Sequence, residues 1–222
     1  MNTRSPFSLA LVTLPLFQGM GKADLTSILG QTKFGFRKVA EGKPVVKEHD
    51  ACTHLHFLQK GTLTVESVAD DHGYRLTELL AAPAILQPEH LFGLHQHYTR
   101  TFIAKTSCQF ITLDKMEVIR LMSDYEIFRL NLLNTLTAQT QKANRECWHI
   151  PPTTLEGHIT RFIRRHCLTP DGEKTLHIKM TRLATELNDS RIDISRTLND
   201  MQRRGLLTLY RGRICIPQLE KL

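Results

Sequence analysis

Residues 183–201 constrain the fold more tightly than any other stretch of this chain. Leu183 and Leu187 lie one helical turn apart. The apolar pattern stops at Asn188-Asp189 and resumes as Ile194, Leu198 and Met201, again at helical spacing. Between the two runs, Ser190-Arg191-Ile192-Asp193 has the Ser-x-x-acid form that caps a new helix reciprocally. Two short helices around a tight turn, the second with arginines on its outer side, predict a helix-turn-helix suited to the DNA major groove.

If Ile194, Leu198 and Met201 face inward, then Ile192, Ser195, Arg196 and Asn199 face away, with Arg191 exposed on the first turn. Arg191 and Arg196 can each donate two hydrogen bonds to a guanine edge. Ser195 and Asn199 suit phosphates or base edges, and Ile192 offers only an apolar contact, for which a thymine methyl is the natural partner. Ser190 is expected to cap the helix, with Asp193 as its partner. Thr181, Arg182, Arg203, Arg204, Arg211 and Arg213 are expected to position the DNA backbone. The charge agrees. Of a net +7, the stretch from Ile150 onward holds +5, with 13 Lys/Arg against 8 Asp/Glu. Charged helix faces are often merely solvated, but the cap, the basic excess and a wing together favour DNA.

That wing is predicted from Leu206 to Ile216, a hairpin with Arg211-Gly212-Arg213 at its tip, after a helix C-cap at Gly205. Upstream, Ile150-Pro151-Pro152 reads as a linker. Leu155, Ile159, Phe162 and Ile163 mark one helical face, Pro170-Asp171-Gly172 a turn, and Leu176 to Ile178 a short strand. Towards the start, Leu25, Ile28 and Leu29 predict a short amphipathic helix within Leu14 to Leu29. From Phe34 to Leu113 the period is two. Short runs (Pro44 to Lys47, Leu55 to Leu58, Leu63 to Val68, Leu76 to Leu80, Thr101 to Ala104, Gln109 to Leu113) alternate with turn signals, including Lys60-Gly61 and His72-Gly73. Beyond Asp114 a helix of about 25 residues or more is expected. Its Leu133, Leu136, Thr140, Ala143 and Cys147 form a three-four seam, either a dimer contact or a stripe packed on the β domain. The predicted class is α+β: a β-roll sensor over 1–114, a dimerisation helix over 115–149, and a winged helix-turn-helix over 150–222.

Cys52, Cys108, Cys147, Cys167 and Cys215 are odd in number and scattered, the pattern of reduced thiols in a cytoplasmic protein. The apolar run Ser8 to Phe17 is short, contains Pro15 and lacks a clear cleavage site, so it is not read as a signal peptide. No run reaches the ~20 apolar residues of a membrane span. No nucleophile–base pair, phosphate-binding loop or paired carboxylate suggests an enzyme.

The order of parts, together with Leu183-Ala184-x-x-Leu187-x-x-Ser190-Arg191-x-x-x-Ser195-Arg196-x-Leu198 and Gly205-Leu206-Leu207, resembles the catabolite-activator and fumarate-nitrate-regulator (CRP/FNR) superfamily of bacterial transcription factors. Leu14 to Met20 is similar to the family's opening helix, and Ala104 to Cys108 to the run before its last roll strand. The resemblance implies a cyclic-nucleotide-binding-like jelly roll and a homodimer on pseudo-palindromic double-stranded DNA, with RNA polymerase as a candidate partner. It puts Arg191 and Arg196 on base-reading positions. Ile192 stands where many members carry a glutamate, so the preferred half-site should differ.

Members that bind cyclic nucleotides use a Gly-Glu-Leu turn and an arginine for the phosphate. Here Tyr98 takes the arginine's place and no Gly-Glu pair accompanies it, which argues against a cyclic nucleotide. Glu89, Tyr98, Thr99 and Arg100 remain effector-pocket candidates, with Tyr98 and Arg100 on one face if extended. His54 with His56, His95 with His97, His90 and Cys108 raise haem or a metal, but no ligand set is complete and no metal ligand is assigned. The family's iron–sulfur cysteine cluster is absent. The leading expectation is a dimeric DNA-binding regulator with an unidentified small-molecule effector. The alternative is a ligand-sensing module (haem, metal or cyclic nucleotide) acting on protein partners, which leaves the basic helix and wing unexplained.

Overall fold

A computed structural model describes residues 11–146, 148 and 150–222; Cys147 of the seam and the start of the early apolar run lie outside them. The chain forms two units, one of residues up to 63 with 81–145, the other of residues 64–80 with 146–222.

In the first unit an antiparallel sheet has the order β1 (Gly35–Val39), β8 (Cys108–Asp114), β3 (His54–Lys60), β6 (Ala84–Leu86), and β2 (Pro44–Val46) pairs with β7 (Thr101–Ala104). Alternation places Leu55 and Phe57 of β3 with Ile111 and Leu113 of β8 on one buried face, while Leu58 and Phe110 are buried on the other. The Phe17 ring lies 5.8 Å from Phe57 and 5.2 Å from Phe128, so the N-terminal segment closes that core. The expected early helix is two pieces: a 3-10 turn at Pro15–Phe17, then α1 (Lys22–Gln31), with Gly19 at a φ of 82° between them. A left-handed residue cannot continue a helix. Strands β1 and β6 escape the sequence pattern because β1 exposes Phe36, Arg37 and Lys38 in succession and β6 is three residues long.

The long helix is likewise two: α2 (Lys115–Asp124) and α3 (Glu126–Glu146). Asp114 caps α2 by accepting from the Glu117 amide at 2.8 Å. Tyr125 leaves the helical region (φ −127°, ψ 106°) and donates its hydroxyl to Ser27 Oγ at 3.1 Å. In α3, Phe128 and Leu132 are buried, whereas the seam residues Leu133, Thr140 and Ala143 are exposed and Leu136 is half-buried. No helix among the described residues is long and apolar enough to cross a membrane.

The second unit contains the helix-turn-helix and wing, and also a hairpin from the stretch read as roll. Strands β4 (Thr62–Val68) and β5 (Tyr74–Ala81) extend a sheet of β9 (Lys174–Ile178), β11 (Arg213–Ile216) and β10 (Thr208–Tyr210). β5 and β9 pair antiparallel from Tyr74↔Ile178 to Glu78↔Lys174. Leu76, Leu176 and Ile214 face inward onto α4 (Leu155–His166), α5 (Met180–Leu187) and α6 (Arg191–Arg203). At the hairpin turn the positive φ falls on His72 (54°), not on Gly73. A Cβ on Gly73 would meet Asp71 Oδ1 at 3.0 Å and the Arg182 guanidinium at 3.2 Å, so a larger residue there would have to displace the Asp71–Arg182 pair slightly.

One buried ion pair ties the hairpin in. Lys174 Nζ lies 2.9 Å from Glu78 Oε2, both side chains being 1% exposed. Glu78 also accepts from the amides of Leu168 (2.7 Å) and Thr169 (3.1 Å), so the carboxylate's lone pairs are well satisfied. Lys174→Met should destabilise the second unit by about 3–5 kcal/mol, because it strands a buried carboxylate. Denaturant unfolding checks this: adding Glu78→Gln should recover part of the loss, and purely additive effects would mean the pair is not coupled.

Candidate nucleic-acid interface

The turn between α5 and α6 is closed by backbone geometry that Asn188-Asp189-Ser190 suits. Asn188 takes the left-handed conformation (φ 51°), and the Asp189 amide donates back to Ala184 O at 3.0 Å. Ser190 Oγ accepts from the Asp193 amide at 3.1 Å and donates to Asp193 Oδ2 at 2.6 Å. The cap differs from the expected reciprocal box in one respect: the Ser190 amide donates to Asp189 Oδ1 at 2.7 Å, nearer along the chain than Asp193. The far end of α6 closes as expected at Gly205 (φ 75°), with the Leu206 amide donating to Met201 O.

Ile194, Leu198 and Met201 are fully buried, and Ile192 is 71% exposed. Arg191, Ile192, Ser195, Arg196 and Asn199 line one open groove of about 430 Å³ together with Met180. Arg196 lies 3.5 Å from Asp193 with its side chain 76% exposed, a pair easily exchanged for a stronger anion. Asn199 donates to Ser195 O at 2.7 Å, which fixes its amide along the helix. The Arg191 side chain has no hydrogen-bond or ion-pair partner among the described residues.

Other arginines are already committed. Arg203 meets Asp200 at 3.1 Å and Arg204 meets Glu156 at 2.5 Å. Arg182, expected on the DNA backbone, bridges Asp71 of the hairpin turn (2.8 Å) and Glu186 (2.5 Å), with its guanidinium over the Tyr74 ring. Arg213 stacks on Tyr210, 4.6 Å from the ring centre, and stays exposed. Spacing along one helix cannot reveal Asp71, which arrives from more than a hundred residues away.

In the roll, three of the effector candidates, Glu89, Tyr98 and Thr99, have internal partners. Tyr98 is 1% exposed; its hydroxyl donates to His54 O (3.2 Å) and contacts His56 Nδ1 (3.0 Å). Gln87, buried in a left-handed conformation, donates to Thr99 Oγ1 (2.7 Å) and accepts from the Thr99 amide (3.2 Å). Glu89 is exposed near His90, and Arg100 is half-buried. The expected shared strand face of Tyr98 and Arg100 does not form, because residues 99–100 bend and β7 begins only at Thr101. His54 and His56 do share a face of β3, ring centres 6.4 Å apart, but His95 and His97 lie on a loop. Among the described residues no three His, Cys, Asp or Glu side chains converge to hold a metal.

Burial, then the nearby Arg37 charge, lowers the His56 pKa from 6.5 to about 4. Its stabilising contribution is therefore complete above pH 6.5 and is lost as the pH falls towards 4, where only the unfolded chain binds the proton. The loss amounts to at most about 3 kcal/mol. In melts at pH 6.5 and 4, His56→Gln should show a shallower fall in stability than the parent; parallel curves would contradict a neutral buried ring.

Two family models match this chain: the cyclic nucleotide-binding domain over residues 36–125 and the Crp-like helix-turn-helix domain over residues 157–222, together more than two thirds of it. The chain belongs to the CRP/FNR superfamily of transcription regulators. That family consists of regulators, not enzymes. Among solved structures, the catabolite activator protein of Thermus thermophilus is 20% identical with a TM-score of 0.54, covering 91% of this chain and 93% of that one. The c-di-GMP responsive regulator CLP of Xanthomonas campestris is 15% identical with a TM-score of 0.51, covering 89% and 99%. The sensor domain of the regulator DNR from Pseudomonas aeruginosa is 15% identical with a TM-score of 0.53, covering 67% and 96%. At these identities the likeness is one of CRP/FNR fold. Comparison with curated protein sequences finds no match.

Proposed function

We propose that this CRP/FNR-type regulator binds pseudo-palindromic operators as a homodimer, reading bases through α6. The carrying observation is the division of that helix: Ile194, Leu198 and Met201 buried, Arg191, Ile192 and Arg196 in water. Arg191 and Arg196 donate to guanine edges, Ile192 contacts a thymine methyl, and Ser195 and Asn199 meet phosphate or base edges. Ser190 holds the helix start in place as its cap.

In this reading the roll, within residues 1–114 and apart from the 64–80 hairpin, senses an effector, 115–149 dimerise and 150–222 bind DNA in the cytoplasm, with RNA polymerase as a further partner. The exposed apolar residues Leu130 and Leu133 of α3 support the dimer seam. The effector is a small molecule that shifts the population of DNA-competent dimers, which requires unequal affinity for two states. Tyr98 and Gln87, bonded to their own chain, argue for a ligand other than a cyclic nucleotide.

Titration of the full chain against pooled random duplexes should enrich inverted repeats, with affinity falling steeply as salt rises. Arg196→Ala should relax preference at one position per half-site, costing about 1–3 kcal/mol there. A uniform loss on all duplexes would make Arg196 a phosphate contact, and no retention of duplex DNA by the parent would overturn the reading.

A further inference from the structure

The outer face of the sheet in the second unit carries a row of side chains that the reading helix does not use. Register sets Arg75 of β5 opposite His177 of β9, His177 opposite Arg213 of β11, and Arg213 opposite Tyr210 of β10. Opposed residues on neighbouring strands share a face. Their neighbours Leu76, Leu176 and Ile214 are buried, so this row points outward. The row beside it, Thr77, Thr175, Cys215 and Thr208, is uncharged.

At the hairpin end the row opens into a cleft of about 500 Å³, lined among others by His72, Arg75, His177, Lys179 and Gly212, with no carboxylate in its wall. Of the two acids of the turn, Asp71 is taken up by Arg182 and the Gly73 amide, and Asp70 is not in the wall of the cleft. Among the described residues the Arg75 and Lys179 side chains have no hydrogen-bond or ion-pair partner, unlike those of Arg182, Arg203 and Arg204. Burial lowers the His177 pKa, the Arg75 and Arg213 charges lower it further, and Glu66 on β4 opposes them. Around His177 itself the nearby charges are thus mostly cationic. The cleft also adjoins the reading groove, because Lys179 in its wall directly precedes Met180 in the wall of that groove.

We infer that the β4–β5 hairpin is a third element of the nucleic-acid interface, holding a DNA backbone phosphate between Arg75, His177 and Lys179. The inference rests on the DNA-binding reading above and extends it to residues outside the helix-turn-helix and wing. An anion with repeated charges suits a row of cations running across neighbouring strands, and continuity with the reading groove selects the backbone of the same duplex. Contacts of this kind are blind to sequence and release counterions on binding.

The experiment uses the full chain, an inverted-repeat duplex enriched from the random pool, and an unrelated duplex, each titrated over a range of salt. Arg75 is exposed, so Arg75→Ala should leave the thermal melt unchanged. It should weaken binding several-fold on both duplexes and reduce the slope of log affinity against log salt by about 1. Arg75→Lys should restore the slope, and Arg75→Glu should weaken binding further. If Arg75→Ala and Arg75→Glu titrate like the parent, the hairpin makes no phosphate contact and the inference falls while the regulator reading stands; the cleft would then suit an acidic protein surface or water. If the parent binds neither duplex, both readings fall together.

Discussion

The pairing of β5 with β9, fixed by the Glu78–Lys174 ion pair, governs how the second unit is assembled. Each charge would be costly alone at this depth, and together they are tolerable only in one register, where Glu78 also receives two backbone amides. A slip by one residue would turn Leu76 to water and Arg75 into the core. The polar pair thus adds a second penalty, beside that of the apolar alternation, to any other alignment of the two strands. From that register follow the outward row containing Arg75 and the position of Asp71 beside Arg182.

The same geometry sorts the cations of the unit. Arg182 and Arg204 face carboxylates of other elements and serve cohesion between them, while Arg203 pairs with Asp200 on its own helix. Arg191, Lys179 and Arg75 face none, and Arg196 is only loosely paired. An arginine already bonded to two carboxylates must give them up before it can meet phosphate, whereas an unpaired one needs only to shed water. The charge available to a polyanion is therefore smaller than the composition suggests and is more sharply localised.

The helix-turn-helix was legible because its signals are local. Helical spacing, the Asn188 turn and the Ser190 cap all lie within about one heptad of the residues they control. The turns at Gly61 and Gly205 were legible for the same reason. The split at Tyr125 was not, since a tyrosine is a tolerable helix residue and the hydrogen bond to Ser27 that rewards the break is remote. The hairpin's allegiance was also hidden. Leu63 to Val68 and Leu76 to Leu80 alternate as roll strands would, and alternation says that a strand is half-buried without saying against what. In the effector region, sequence identified Tyr98 as a substitute for an arginine but could not show Gln87 and His56 bonding to the residues around it.

Because β5 completes the sheet, the winged unit is discontinuous in the chain. A fragment starting at the diproline would carry β9 with one side unpaired, a bare edge able to recruit strands from other molecules. It would also bury a lone ammonium at Lys174. A single cut therefore cannot separate the two units intact, since the chain passes between them both at the end of α3 and through the hairpin.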